Sequence, residues 1–401
     1  MHLIGAAPFA AMLGLCGCGA GSDGMGTRAP PPAVAYAYVS ARPAAAASPG
    51  AVYEYAVLGD GSLSALTPAS IAAGLDPAAV AVDQASRYVY VVNVGDGTIS
   101  QYAIQADNSL APMNPATVAN PGMKTLGINP SAAQLDPSAS FLYVTNAADD
   151  TVSQFRIGSD GQLTPLTPAT VAAGTTPMAI ATGFGGGGPA YVYVANSGLG
   201  VVGGTGSVSQ YAIGADGTLT PLAPASIALT GSPVAVGIHA STAYVMNNCV
   251  GSNCTGSITP FAIGADGTLT PTGAPITTGG HYDSISLLVD PGGEDAYLLS
   301  NLMGVDTASG ALWQLGVSSN GALTAASAPT LTLAPSALAQ SLNDATLYVL
   351  TANNGTGGSG GTGGSVNAYT LTAGAAPTLS AATPLAAAQP VSMGMVILFA
   401  P

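Results

Sequence analysis

Short runs of Val, Ile, Leu, Tyr and Ala follow one another along the chain, each bounded by Gly, Asn, Asp or Pro. Runs of this length between turn residues predict β-strands. One kind of run recurs: "AYAYVS" (35–40), "YVYVVN" (88–93), "FLYVTN" (141–146), "YVYVAN" (191–196), "AYVMNN" (243–248), "AYLLSN" (296–301) and "LYVLTAN" (347–353). The copies lie about fifty residues apart, a period that belongs to propeller blades.

Each copy heads a longer unit. A Gly/Asn/Asp loop follows it, then a second run such as "GTISQYAI", "DTVSQFRI" or "GSVSQYAI". Next comes a turn, "DGSL", "DNSL", "DGQL", "DGTL", "DGTL", "NGAL" or "AAPTL". Asp-Gly and Asn-Gly tolerate the positive φ that a tight hairpin demands. The segment after the turn is broken by proline, as in "TPLTPATV". Proline removes a donor from a strand edge and protects it from further pairing. The unit ends in a narrow run of small residues, such as "PAAVAVD" (77–83), "PMAIAT" (177–182) or "PVSMGMVI" (390–397). Four strands per unit and seven units predict an all-β, seven-bladed β-propeller of four-stranded antiparallel blades. The small-residue strand belongs at the crowded axis. The first unit lacks one and the C-terminus carries a spare, so the last strand is expected to close the ring on the N-terminal blade.

Composition narrows the function. Only 6% of the 401 residues are charged, and the net charge is −14. Nucleic acid and anionic lipid headgroups need a basic footprint and are excluded as partners. A protein, a glycan or a small molecule remains, and the ring is expected to act as a monomer. The apolar run "LIGAAPFAAMLGL" is too short to span a membrane. With "LCGCG" after it, it resembles a bacterial lipoprotein signal. That resemblance implies cleavage after residue 17, lipidation of Cys18, a tether over 18–33 and a propeller over 34–401. Membrane contact is then through the anchor alone, in the cell envelope. An ordinary cleaved signal, giving a secreted protein, is the alternative. Cys249 and Cys254, in "NNCVGSNCTG", predict a local disulfide in an exported protein.

Candidate chemistry is sparse. The third-to-outer hairpins are short and alike, so a specific site is expected on the opposite face, where the loops differ. There His281, Tyr282 and Asp283 form a cluster in "GGHYDS", with His281 and Asp283 suited to act as base and orienting carboxylate. Such a cluster also serves as a hydrogen-bonded plug of the channel mouth. The asparagines ending the recurrent strand (Asn93, Asn146, Asn196, Asn247, Asn301 and Asn353) are candidate ligand contacts at the same rim. Asp96, Asp149 and Asp150 sit nearby and suit either Ca²⁺ or Asx-turns. No metal or cofactor is expected.

"LYVTN" with "TVSQF", and "YVYVAN" with "SVSQYAI", resemble the YVTN-type, lactonase-like seven-bladed propellers, a family related to 6-phosphogluconolactonases. The resemblance covers about residues 34–401 and implies lactone hydrolysis. Such enzymes show Pro-Arg-His at inner-strand starts and Asn-Glu after the recurrent strand. Here the matching triplets include Pro77-Ala78-Ala79, Pro130-Ser131-Ala132, Pro177-Met178-Ala179 and Pro233-Val234-Ala235, and no Glu follows the asparagines. Two readings follow: a lipid-anchored binding or scaffold module acting through its long-loop face, and a divergent lactonase-like hydrolase.

Overall fold

The computed structural model describes residues 33–43, 48–83, 85–124, 132–184, 189–198, 205–248, 256–277, 282–289, 294–302, 310–318, 321–325, 330–331, 334–340, 346–352, 363–372, 375–386 and 388–397. Cys18, Cys249, Cys254, His281 and Asn353 lie outside these residues, as do the leader and nearly all of the tether.

The described residues form seven antiparallel sheets and no helix. Blade 2 shows the plan: inner strand Pro77–Val82, second Tyr88–Asn93, third Thr98–Ile104 and outer Leu110–Ala119, paired in that order. Blade 3 runs Ala133–Leu135, Phe141–Asn146, Thr151–Ile157, Leu163–Ala172. Blade 4 runs Pro177–Phe184, Ala190–Asn196, Ser207–Ile213, Leu219–Ala228. Blades 5 and 6 split the outer strand in two, as Leu269–Pro271 with Ile276–Thr277 and Leu323–Ala325 with Thr330–Leu331. In blade 7 it is the single strand Ala375–Ala386.

Blade 1 takes three strands from the N-terminal side, Ala33–Pro43, Pro49–Leu58 and Leu63–Leu75. Its inner strand is Ala388–Ile397, antiparallel to Ala33–Pro43 from Ala35↔Ile397 to Pro43↔Ala388. The expected closure is thus present. Inner strands touch their neighbours right around the axis, with the C-terminal strand lying between those of blades 7 and 2.

Seven hydrophobic clusters, among the described residues, each lie between two adjacent blades. A second strand therefore packs on both faces, which is why it reads as a continuous apolar run instead of an alternating one. Tyr90 and Val92 face blade 3, while Val89 and Val91 face blade 1. The outer strands are largely exposed and carry the prolines, of which Pro68, Pro115, Pro168 and Pro224 follow cis peptide bonds.

The repeated hairpin is the joint between blades. Gly61, Gly161, Gly217 and Gly267 have positive φ at its tip, and Asn108 (φ 66°) takes that place in blade 2. The tip carbonyl accepts a hydrogen bond from a tyrosine of the preceding blade. Tyr38 donates to Asn108 O, Tyr90 to Gly161 O, Tyr143 to Gly217 O and Tyr193 to Gly267 O, at 2.6–2.8 Å. Tyr348 of blade 7 donates to Gly61 O across the closure, at 2.9 Å. Burial pushes these phenols well above their ordinary range, so they stay protonated donors.

A glutamine adds a second bond. Gln101, Gln154 and Gln210 sit at a bulge in the third strand. Each Nε2 donates to a proline carbonyl of its own outer strand, Pro115, Pro168 or Pro224. Each Oε1 accepts the N–H of the leucine opening the next outer strand, Leu163, Leu219 or Leu269, at 2.6–2.7 Å.

Candidate functional site

The blade plan defines two ends of the axis. Loops between second and third strands, and linkers to inner strands, meet at one end. The third-to-outer hairpins and inner-to-second turns meet at the other.

At the long-loop end, the predicted asparagines are built into the blades. Asn93 is fully buried; its Nδ2 donates to Thr98 Oγ1 and Ser100 Oγ, and its Oδ1 accepts Gly74 N–H. Asn146 makes the same pair of bonds to Thr151 and Ser153, and its Oδ1 accepts from Asn120 Nδ2 at 2.8 Å. Asn196 bonds Ser207 and Ser209 and accepts Gly174 N–H. These three amides pin the linker before an inner strand to the second and third strands of the same blade. Asn247 is buried with a longer contact to Thr259, and its Oδ1 has no hydrogen-bond partner. Asn301 pairs by backbone with Asp283, and Tyr282 with Leu302, where the inner and second strands of blade 6 meet. Position 283 therefore belongs to the axial strand at its long-loop end, two residues after His281.

The aspartates at this end serve the backbone. Asp96 accepts Thr98 N–H and Oγ1–H on one oxygen and Leu75 N–H on the other. Asp149 accepts Lys124 N–H, and Asp150 accepts Thr176 N–H. The Asp96–Thr98 pair is an Asx-turn; the bonds to Leu75, Lys124 and Thr176 tie the linkers before inner strands to these loops. No cluster of three or more metal-ligating side chains occurs among the described residues.

A cavity among the described residues lies at the other end of the axis, where no site was expected. It is about 500 Å³ and is lined by residues 80–82, 133–137, 139 and 182–184, from the ends of three neighbouring inner strands. At this end the inner strand of blade 4 runs on to Phe184, paired with Ala190, while that of blade 3 stops at Leu135, paired with Leu142, which leaves a step between them. Small residues at Ala81, Ala133 and Gly183 keep the step open. Periodicity reads those residues as axis crowding, so it does not mark the space they leave.

The cavity wall is mostly apolar, with few polar groups. Thr182 Oγ1 donates to Leu135 O at 3.1 Å, and Phe184 stands half-exposed at the lip. Asp136 is buried, and its carboxylate accepts Ser138 N–H and Oγ–H, Ser140 N–H and Phe141 N–H. It shapes the turn, with its lone pairs occupied by those donors.

Cations are rare throughout. Arg42 pairs with Asp76, and Arg87 with Asp83. Arg156 donates to Asp216 O and lies over the Phe141 ring. Lys124 is exposed on the long-loop side. None of these lines the cavity.

Comparison with known proteins agrees with this architecture. The family model described as "Lactonase, 7-bladed beta-propeller" matches residues 30–196. No curated protein matches the chain. Among solved structures, a 6-phosphogluconolactonase candidate from Bacteroides fragilis superposes with TM-score 0.69 at 17% identity, covering 91% of this chain and 98% of its own. The periplasmic gluconolactonase of Pseudomonas aeruginosa superposes with TM-score 0.67 at 16% identity, over 90% and 99%. A hypothetical selenium-binding protein from Sulfolobus tokodaii reaches 0.64 at 10% identity, over 91% and 94%. The chain is a seven-bladed β-propeller, of which residues 30–196 match the lactonase family model. At these identities the structural likeness speaks for the fold alone.

Proposed function

We propose that this propeller hydrolyses small, uncharged lactones at its axis. The observation that carries this reading is the lactonase family match over residues 30–196. In the reaction, a water oxygen adds to the lactone carbonyl carbon, the ring C–O bond breaks, and a proton from that water ends on the leaving alkoxide oxygen. His281 is assigned as the base and Asp283 as its orienting carboxylate; position 283 lies at the long-loop end of the axial strand. The substrate is uncharged because three of the four cations in the described residues are committed to protein groups and the chain carries −14. A phosphorylated sugar lactone would meet repulsion without a compensating guanidinium.

The test is turnover of matched lactones with and without a phosphate. Hydrolysis of the neutral compounds, falling by about 100-fold or more in His281→Ala, supports the assignment. Turnover no faster than buffer, or unchanged in His281→Ala, refutes it. A second reading, a binding module, is favoured by Ala, Ser, Met or Val where lactonases carry Arg and His. Calorimetric binding of a lactone without turnover would select it. Export and lipid anchoring through Cys18 belong to either reading and are tested by metabolic labelling with a fatty acid.

A further inference from the structure

The joint between blades 1 and 2 differs by one atom type from the three that follow it around the ring. In blades 2, 3 and 4 the third-strand glutamine both donates, to a proline carbonyl fourteen residues on, and accepts, from the next blade's leucine N–H. In blade 1 that position is Glu54, at the same bulge, and Pro68 stands at the same spacing. Glu54 is fully buried, and its Oε2 accepts Leu110 N–H at 2.7 Å. The other oxygen, Oε1, is buried and has no hydrogen-bond partner. A carboxylate supplies the acceptor that this joint needs but lacks the donor.

We propose that Glu54 is a proton-operated latch: as the neutral acid it stands in for glutamine, donating from Oε1 to the Pro68 carbonyl of its own blade while Oε2 accepts from blade 2, and on losing its proton it leaves that carbonyl without a donor and a buried charge at the joint between blades 1 and 2. The surroundings favour the acid. Tyr38 lies opposite Glu54 on the second strand, beside Tyr36; Tyr102 faces it from blade 2, and Asp107 from the blade 2 turn. The Tyr38 and Tyr102 hydroxyls donate elsewhere, to Asn108 O and Ala72 O. No cation is among the groups acting on it. Burial pushes the carboxyl up to about 7; the Leu110 N–H pulls it down, and the Asp107 charge adds to the rise.

The sign follows from linkage. The folded chain holds this proton to higher pH than the unfolded chain, whose glutamate titrates near 4.5. The stabilisation is complete below about pH 4.5, falls as pH rises through about 7, and is absent above. The folding constant should drop on the order of a hundredfold across that window through this group alone.

The chain has two glutamates, Glu54 and Glu294, so ¹³Cδ-glutamate labelling gives two carboxyl resonances in the intact protein. One is expected to titrate near pH 7; two ordinary titrations below pH 5 would overturn the proposal. Glu54→Gln should match the parent near pH 4.5 and exceed it at pH 8 in urea midpoint. Parallel pH profiles, or a Glu54→Gln protein weaker at pH 8, would also overturn it. Should that variant fail to fold, the titration on the parent decides.

Discussion

Replacing Gln154 with Leu tests whether the side-chain joint, and not apolar contact alone, holds blades 3 and 4 together. Gln154 is fully buried, donating to Pro168 O at 3.0 Å and accepting Leu219 N–H at 2.6 Å. Leucine keeps most of the volume and removes both bonds. It leaves a backbone carbonyl in one blade and a backbone N–H in the next without partners in a dry interface. Each orphaned group costs about 1–3 kcal/mol. Burying an alkyl group where an amide sat returns about 1 kcal/mol or more. The net expectation is a loss of about 2–4 kcal/mol, a fall of roughly 1 M in urea midpoint for a ring of this size. The assay is equilibrium urea unfolding followed by tyrosine fluorescence, with hydrogen exchange at the Leu219 amide as the local readout. A change below about 0.5 kcal/mol with Leu219 still protected would refute the joint.

Two further perturbations address turn and closure. Gly217→Ala places a Cβ 2.1 Å from the Phe141 ring at φ +87°, and should lower stability by about 2–4 kcal/mol. Gly273→Ala, with nothing within 4 Å of its Cβ, is the matched control for a thermal melt. Deleting residues 388–401 removes the strand paired with Ala33–Pro43 and exposes its inner edge. A markedly lower melting temperature and self-association on gel filtration are expected; an unchanged melt would mean the ring does not depend on closure.

The number of blades, the strand order and the closure were legible because they rest on short-range chemistry. Apolar runs between turn residues, glycine at a positive-φ tip and proline on an exposed edge each have a local cause. The asparagine series was visible too, but its role was not. An asparagine beside a loop reads equally as a rim contact or as a pin. Only the fold shows Asn93 and Asn146 bonded to Thr and Ser five and seven residues on and to the linker before their own inner strand. The cavity was invisible for a different reason: it lies where two adjacent inner strands end at different heights, and no single repeat contains it.

By itself the sequence determined a closed ring of seven antiparallel blades, since each repeat specifies its own turns, edges and narrow inner strand. The tertiary structure decided what the most repeated phrase is for. "IGADGTL" spells a hairpin whose tip carbonyl and following leucine N–H are bonded by the Tyr and Gln of the blade before it. Those partners lie about sixty to seventy-five residues away, beyond the reach of any local pattern. For the same reason the glutamate at position 54 looks unremarkable in the chain. Only in the ring does it become a carboxyl buried where the next three joints use an amide.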